Sequence, residues 1–405
     1  MIQAIEGGVC APKGFLAAGI HCGIRKYKTK KDLSLILSQA PATAAAVYTR
    51  NLVQGAPIAV TKAHLADGQA RAVIVNSGIA NTCIAGGEAA AEEMCALAAE
   101  SLGLEASDLI VASTGVIGQP LDLEPIRAHM DELVAALSPD GSLSACEGIM
   151  TTDTRPKQVA VEFELGGKRC RIGGIAKGSG MIHPDMATML VFLSTDAAIS
   201  APMLQKALSG DIRSSFNMLS VDGDTSTNDM VSILANGLAA NPVIETEGAD
   251  FETFMAALNS VTVCLCRLIA GDGEGATKLL ECRVTGAKDL PNARLAARSV
   301  ISSSLVKAAM FGADANWGRV LCALGYAGAE LDVQKVGVRF ASKAGEILVC
   351  EHGAEVDFSE EEAKRILSED EIDILVSLGD GDAAATAWGC DLTYYYVKIN
   401  GEYRS

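Results

Sequence analysis

The stretch KGSGMIHPDMATMLVFLST, Lys177 to Thr195, decides how this chain is read. Two glycines, a proline and the small pair Ala187-Thr188 stand directly before MLVFLST, an apolar run of strand length. On spacing alone, Thr188 is the first β-branched residue of a strand preceded by a loop. A sharper reading makes its hydroxyl a nucleophile. Such a hydroxyl is weak without a base beside it, and one way to supply the base is the residue's own α-amino group. That group exists only once the preceding peptide bond has been cut. Ala187 is small, Gly180 and Pro184 bend and restrict the approach, and the strand from Met189 would hold Thr188 at its edge.

On the N-terminal side, AVIVNSGIAN (Ala72 to Asn81) and LIVAST (Leu109 to Thr114) read as buried strands, the second running straight into Gly115. GGEAAAEEMCALAAESLGL and EPIRAHMDELVAALS have helical period, and KQVAVEFEL alternates as a strand closed by Gly166-Gly167. Beyond Thr195, APMLQKALSGDIRSSF and FETFMAALNSV read as helices. VTVCLCRLIA, LECRVTGA and the C-terminal TYYYVKIN read as strands. Mixed elements from end to end predict an α/β or α+β fold of layered sheets covered by helices. A new unit is expected to begin near residues 285 to 290.

The 405 residues are 49% hydrophobic, enough for two or three domains with a sizeable core. A net charge of −17 and the absence of a long basic cluster argue against nucleic acid and anionic membrane as partners. The start, MIQAIEGGVCAPKGF, does not read as a secretory signal, and no continuous apolar run is read as a membrane span. The twelve cysteines are scattered without a C-x-x-C pair, and Cys264 and Cys266 are expected on opposite faces of a strand. Reduced thiols in a cytoplasmic protein follow. GDGEGATK is not a phosphate loop, and DGDTSTNDM is not a calcium loop, having Thr227 and Ile233 where glycine and glutamate are needed. His183, in the loop itself, reads as a turn residue before it reads as a base.

KGSGMIHPDMATML closely resembles the self-cleaving segment of the ornithine acetyltransferase family, the bifunctional arginine biosynthesis or glutamate N-acetyltransferase proteins. GFLAAGIHCGI, TRN, NSGIAN, STGVIG, MTTDTRPK, DGDTSTNDM, GDGEGATK, FGADANWGR and the ending WGCDLTYYYVKINGEYRS stand in that family's order. One departure is visible: Ile79 occupies NSGIAN where the family pattern is NSGNAN.

The resemblance implies an αββα-type sandwich with mixed sheets and a smaller C-terminal α/β domain. It implies cleavage of the Ala187-Thr188 bond by Thr188 itself, giving an α chain of residues 1–187 and a β chain from residue 188. The division expected within the β chain is a nucleophile strand and core over 188–285, then a smaller domain over 286–405 whose last strand returns to the active site. Thr188 would accept acetyl from N-acetylornithine and pass it to glutamate, with Thr114 and Gly115 as oxyanion donors. Read without the family, that Ser-Thr-Gly is a turn at a strand end. Substrate contacts are implied for Thr151, Lys177, Thr188, Glu274, Asn400 and the terminal Ser405. No metal or redox cofactor is expected, acetyl-CoA stays open as a co-substrate, and the chains are expected to assemble as an α2β2 heterotetramer. Two alternatives remain at this point: a β-aminopeptidase-like self-cleaving hydrolase, and a non-catalytic amino-acid-binding protein.

Overall fold

A computed structural model describes residues 1–26, 30–183 and 189–402. The chain is mixed α/β and forms two compact units. One comprises the described residues of 1–178, 185–213 and 225–265, the other those of 179–184, 214–224 and 266–405. LECRVTGA thus belongs to the second unit, which begins upstream of residues 285 to 290.

In chain order the strands of the first unit are β1 (Gln3–Ile5), β2 (Phe15–Ile20), β3 (Leu33–Tyr48), β4 (Gln69–Ile79), β5 (Leu109–Val116), β6 (Lys157–Leu165), β7 (Lys168–Lys177) and β8 (Leu190–Thr195). A short strand of the second unit, β9 (Leu219–Ser220), intervenes before β10 (Met230–Ala235). They form a mixed sheet in the order β1-β6-β7-β8-β10-β3-β4-β5, with β2 also paired to β3. The β8/β10 and β4/β5 pairs are parallel. The first unit's helices are α1 (Ala56–His64), α2 (Gly87–Leu102), α3 (Glu124–Ala135), α4 (Ser142–Ile149) and α5 (Ala201–Asp211).

Alternation along the strands builds two apolar layers. Ala72, Ile74, Leu109 and Val111 pack with Met94 and Cys95 of α2 and Ile126, Met130 and Leu133 of α3. Their neighbours Val73, Val75, Ile110 and Ala112 point the other way, to Cys146 and Ile149 of α4 and Phe192 of β8. With both faces covered, these strands read as continuous apolar runs, and every residue of β8 is buried. Each buried Leu, Ile or Val contributes about 1.5–3 kcal/mol relative to exposure.

The second sheet contains β9 and β11 (Leu279–Ala287), β12 (Gly337–Ser342), β13 (Gly345–Glu351), β14 (Ala354–Glu355), β15 (Glu371–Ser377) and β16 (Ala383–Cys390). Their order is β14-β13-β12-β15-β11-β16-β9. The remaining helices are α6 (Ala249–Ala270), α7 (Leu290–Ser302), α8 (Ser304–Phe311), α9 (Trp317–Gly325), α10 (Glu360–Leu367) and α11 (Tyr394–Gly401).

Two elements correct the sequence reading. VTVCLCRLIA is no strand but the second half of α6. Its local alternation is outweighed by the longer spacing of buried Phe251, Phe254, Leu258, Val261 and Leu265, which lines one helical face. Phe254 packs edge-on against Phe163, ring centroids 6.3 Å apart. By length and composition this 22-residue helix could span a bilayer, contrary to the sequence reading, which divided it; half of its most apolar window is buried within the protein. Cys264 is exposed and Cys266 buried, because two residues advance a helix by rather more than half a turn. TYYYVKIN, expected as a returning strand, is helix α11. The Thr393 hydroxyl accepts the Tyr395 N–H at 3.1 Å and donates to the Gly275 carbonyl at 2.7 Å, so the helix starts under a side-chain cap.

A buried ion pair secures the turn between α4 and β6. Lys157 Nζ lies 2.6 Å from Asp153 Oδ1, and both side chains are fully enclosed. Burial by itself would raise the Asp153 carboxyl. The ammoniums of Lys157 and Lys177 and the Gly178 N–H more than reverse this and hold it at about 2. A carboxyl depressed on folding stabilises the protein above its unfolded value near 4, and that contribution is lost as the pH falls from about 4 to about 2. Asp153→Asn is expected to flatten this acid limb of the unfolding midpoint and to cost about 3–5 kcal/mol at neutral pH by removing the carboxylate of a buried ion pair. Unfolding curves across that pH range check it, and an acid limb as steep as that of the unmutated protein would refute it.

Candidate active site

The sequence-predicted site residues of the first unit cluster at strand ends. Thr114 and Gly115 stand near the end of β5, which runs parallel to β4 with Ser77 opposite Thr114 and Gly78 opposite Gly115. Gly115 has φ +136°, a region L side chains rarely adopt, and a Cβ there would lie 2.2 Å from the Gly78 carbonyl carbon. Only glycine lets the two strand ends approach this closely. Lys177, the last residue of β7, places Nζ 3.3 Å from Thr114 Oγ1. An ammonium can only donate, so the Thr114 oxygen accepts from it and the hydroxyl proton is directed to another acceptor. Thr151 joins the group through its backbone, its N–H donating to Asp153 Oδ2 at 3.0 Å. The other oxygen of the same carboxylate accepts the Gly178 N–H at 2.8 Å, immediately after Lys177.

In the second unit, Asn400 Nδ2 donates to Glu274 Oε2 at 2.7 Å, so two predicted substrate contacts touch. Helix α11 brings this about, since Tyr396 and Asn400 share one face at i and i+4; the Tyr396 hydroxyl bonds Asp222 at 3.3 Å. Glu274 is 8% exposed, and a Cβ on Gly180 would lie 2.5 Å from its carboxylate. The glycine of KGSG therefore leaves room for the acid.

The residues that precede the expected cleavage point are tied down within this unit. Ser179 Oγ donates to Asp272 O at 2.6 Å, and its carbonyl accepts the Glu274 N–H at 2.8 Å. Asp222 accepts the N–H groups of Met181 and Ile182 at 2.7 and 2.9 Å. His183 Nε2 accepts from Arg298 at 3.2 Å, which assigns the ring proton to Nδ1, 3.0 Å from Ser220 Oγ. Both ring nitrogens are thus engaged, as suits a structural histidine. Ala187, Thr188 and Ser405 lie outside the described residues. On the far side of the expected cut, the Met189 carbonyl accepts the Met230 N–H at 2.9 Å, which fixes the start of β8 beside β10.

Sequence reasoning missed three buried polar residues here. Asp153 links Thr151 to the residue after Lys177. Asn228 bonds the carbonyl of Ser113. Asp229 is fully buried, and among the described residues its Oδ2 has no hydrogen-bond partner. Burial pushes its carboxyl well above the usual carboxylate range, against the Ser226 hydroxyl and the charge of Lys177. All three sat inside motifs already noted, MTTDTRPK and DGDTSTNDM, but nothing in residue spacing reports burial. Ile79 is also explained. Its carbonyl accepts the Asn76 side-chain N–H at 2.9 Å and its own side chain packs against an apolar cluster, so this contact needs no amide at position 79.

The pattern that defines the ArgJ family matches residues 16–405. The chain is 52% identical to the arginine biosynthesis bifunctional protein ArgJ of Symbiobacterium thermophilum, with 100% of both chains covered. It is 47% identical to the protein of that name from Bacillus subtilis, with 100% of this chain and 98% of the other covered. A crystal structure of ArgJ from Bacillus halodurans is 45% identical, covering 52% of this chain and 97% of that one with a TM-score of 0.49. An ornithine acetyltransferase from Mycobacterium tuberculosis, solved with ornithine, is 37% identical over 46% of this chain and 100% of that one, with a TM-score of 0.43. A family match over nearly the whole length, with about half the residues identical to full-length relatives, means that the chain belongs to the ArgJ family.

Proposed function

We propose that this chain is a glutamate N-acetyltransferase of arginine biosynthesis, moving acetyl from N2-acetyl-L-ornithine to L-glutamate through acetyl-Thr188. The observation that carries the reading is the Lys177–Thr114 contact beside Gly115, a hydroxyl whose oxygen is already engaged by a cation next to a glycine backbone at a strand end. Membership of the ArgJ family supports it.

Activation begins when Thr188 Oγ attacks the Ala187 carbonyl, exchanging the peptide bond for an ester and leaving the nitrogen as an amine. Water then hydrolyses the ester, which frees the Ala187 carboxylate and restores the hydroxyl beside the new amine. In the transfer itself, the α-amine takes the Thr188 hydroxyl proton as Oγ attacks the acetyl carbonyl. Charge gathers on the carbonyl oxygen, where Thr114 Oγ–H and Gly115 N–H donate; one such donor is typically worth about 100- to 1,000-fold in rate. Collapse of this intermediate passes the proton to the departing ornithine nitrogen. Glutamate's neutral amine then attacks the Thr188 ester, its proton goes to the α-amine, and Oγ is released as the hydroxyl. Glu274 and Asn400 suit the substrate's ammonium, and Lys177 supports the reacting centre. Thr151 and Ser405 complete the proposed substrate contacts.

In this reading the cytoplasmic enzyme is an α2β2 heterotetramer without metal or redox cofactor. The word bifunctional in the relatives' names supports acetyl-CoA as a second acetyl donor.

Three outcomes are expected. Thr188→Ala remains a single polypeptide on a denaturing gel and transfers no acetyl, whereas the unmutated chain runs as two; transfer by the uncut variant sinks the proposal. Ornithine release from N-acetylornithine requires glutamate, and equal release without it assigns a hydrolase instead. Glu274→Gln raises the KM for N-acetylornithine about 10- to 100-fold, the scale of a lost charged hydrogen bond, and an unchanged KM removes Glu274 from the substrate site.

A further inference from the structure

We infer that Asn228 is a positioning residue that holds Thr114 and Gly115, at the end of β5, in their donating geometry. The inference rests on the reading of that strand end as the oxyanion site.

Asn228 is 7% exposed, and its amide uses all four of its hydrogen-bonding positions. Nδ2 donates to the Ala80 carbonyl at 2.6 Å and to the Ser113 carbonyl at 3.0 Å. Oδ1 accepts from the hydroxyls of Thr82 and Thr227, each at 2.6 Å. Ser113 immediately precedes Thr114, so its carbonyl sets the plane of the peptide that carries the Thr114 N–H. Ala80 in turn donates its N–H to the Val116 carbonyl at 3.0 Å, and the Gly118 N–H bonds the Thr82 carbonyl at 3.0 Å. The amide therefore fixes Ser113, before the Thr114–Gly115 pair, directly and Val116, after it, through one intermediary.

Topology makes this anchor necessary. β5 is the last strand in the sheet order, so among the described residues no further strand pairs with it beyond β4. An edge left to side chains is less constrained than one held by a second ladder. The fit around the amide is close, since a Cβ on Gly55 would stand 2.5 Å from Asn228 Nδ2. Aspartate has nearly the same shape but no donor, and it would aim a carboxylate oxygen at the two carbonyls that the amide now bonds. Buried and without compensation, such a substitution displaces the strand end or is not accommodated.

The test is steady-state kinetics on the cleaved, full-length protein. Asn228→Asp is expected to lower kcat about 10- to 100-fold, part of the loss typical of an oxyanion donor, while the KM for N-acetylornithine stays within about twofold. Thr114→Val is measured alongside, alone and combined with Asn228→Asp. If the amide acts through this strand end, the double variant is little worse than Thr114→Val alone. Losses that multiply, or a KM that rises while kcat holds, overturn the inference. Should Thr114→Val itself keep full kcat, the oxyanion reading fails and this inference fails with it. A normal Asn228→Asp beside a crippled Thr114→Val defeats the inference alone. If Asn228→Asp does not fold, Thr82→Val decides, because it removes one donor to Oδ1 without placing a charge. A kcat loss of about 3- to 10-fold at constant KM, and no further loss when combined with Thr114→Val, supports positioning; unchanged kcat refutes it.

Discussion

An enclosed carboxylate has to be compensated within hydrogen-bond distance, and much of the first unit's candidate site is arranged around Asp153. Its partners are the fully buried Lys157 ammonium, the Thr151 N–H and the Gly178 N–H. Thr151 is a proposed substrate contact, and Gly178 follows Lys177. One charge thus joins the turn after α4 to the end of β7. Interiors penalise a half-satisfied ionic network more than an apolar substitute, so such a group is kept only where its geometry is nearly complete.

Within each unit, predicted residues meet in a pair. Lys177 reaches Thr114 in the first unit, and Asn400 reaches Glu274 in the second. The two pairs have different chemical uses. A lysine that occupies one side of a hydroxyl oxygen leaves that hydroxyl to donate where negative charge develops. A carboxylate bonded by an amide is a ready receiver for an ammonium. The segment that leads to the expected cut is held by side chains of the second unit, while the strand that follows it lies in the middle of the first unit's sheet.

Much of this was legible without coordinates. β4, β5, β6, β8 and β11, with α2, α3 and α5, match runs whose period could be read directly, because each buries a face or a stripe of its own. Reading failed where local alternation disagreed with longer spacing. VTVCLC looks like a strand over six residues and like a helix over twenty. TYYYVKIN has strand-forming aromatics, yet a threonine cap and the i, i+4 relation of Tyr396 to Asn400 make it a helix. Asn228 and Asp229 were in view inside DGDTSTNDM, a motif tested as a calcium loop and quoted for the resemblance, and neither was given a role. Their importance lies in burial, which a motif does not encode.

The sequence by itself determined the class of fold, the family resemblance and the set of residues able to carry the chemistry, because period and motif order are properties of the chain. Tertiary structure decided which of those residues touch. Lys177 and Thr114 are 63 positions apart and Glu274 and Asn400 are 126 apart, separations that only strand order and helix packing convert into hydrogen bonds. It also decided which polar side chains have no access to water. That property depends on everything packed around a residue, so no short stretch of sequence contains it.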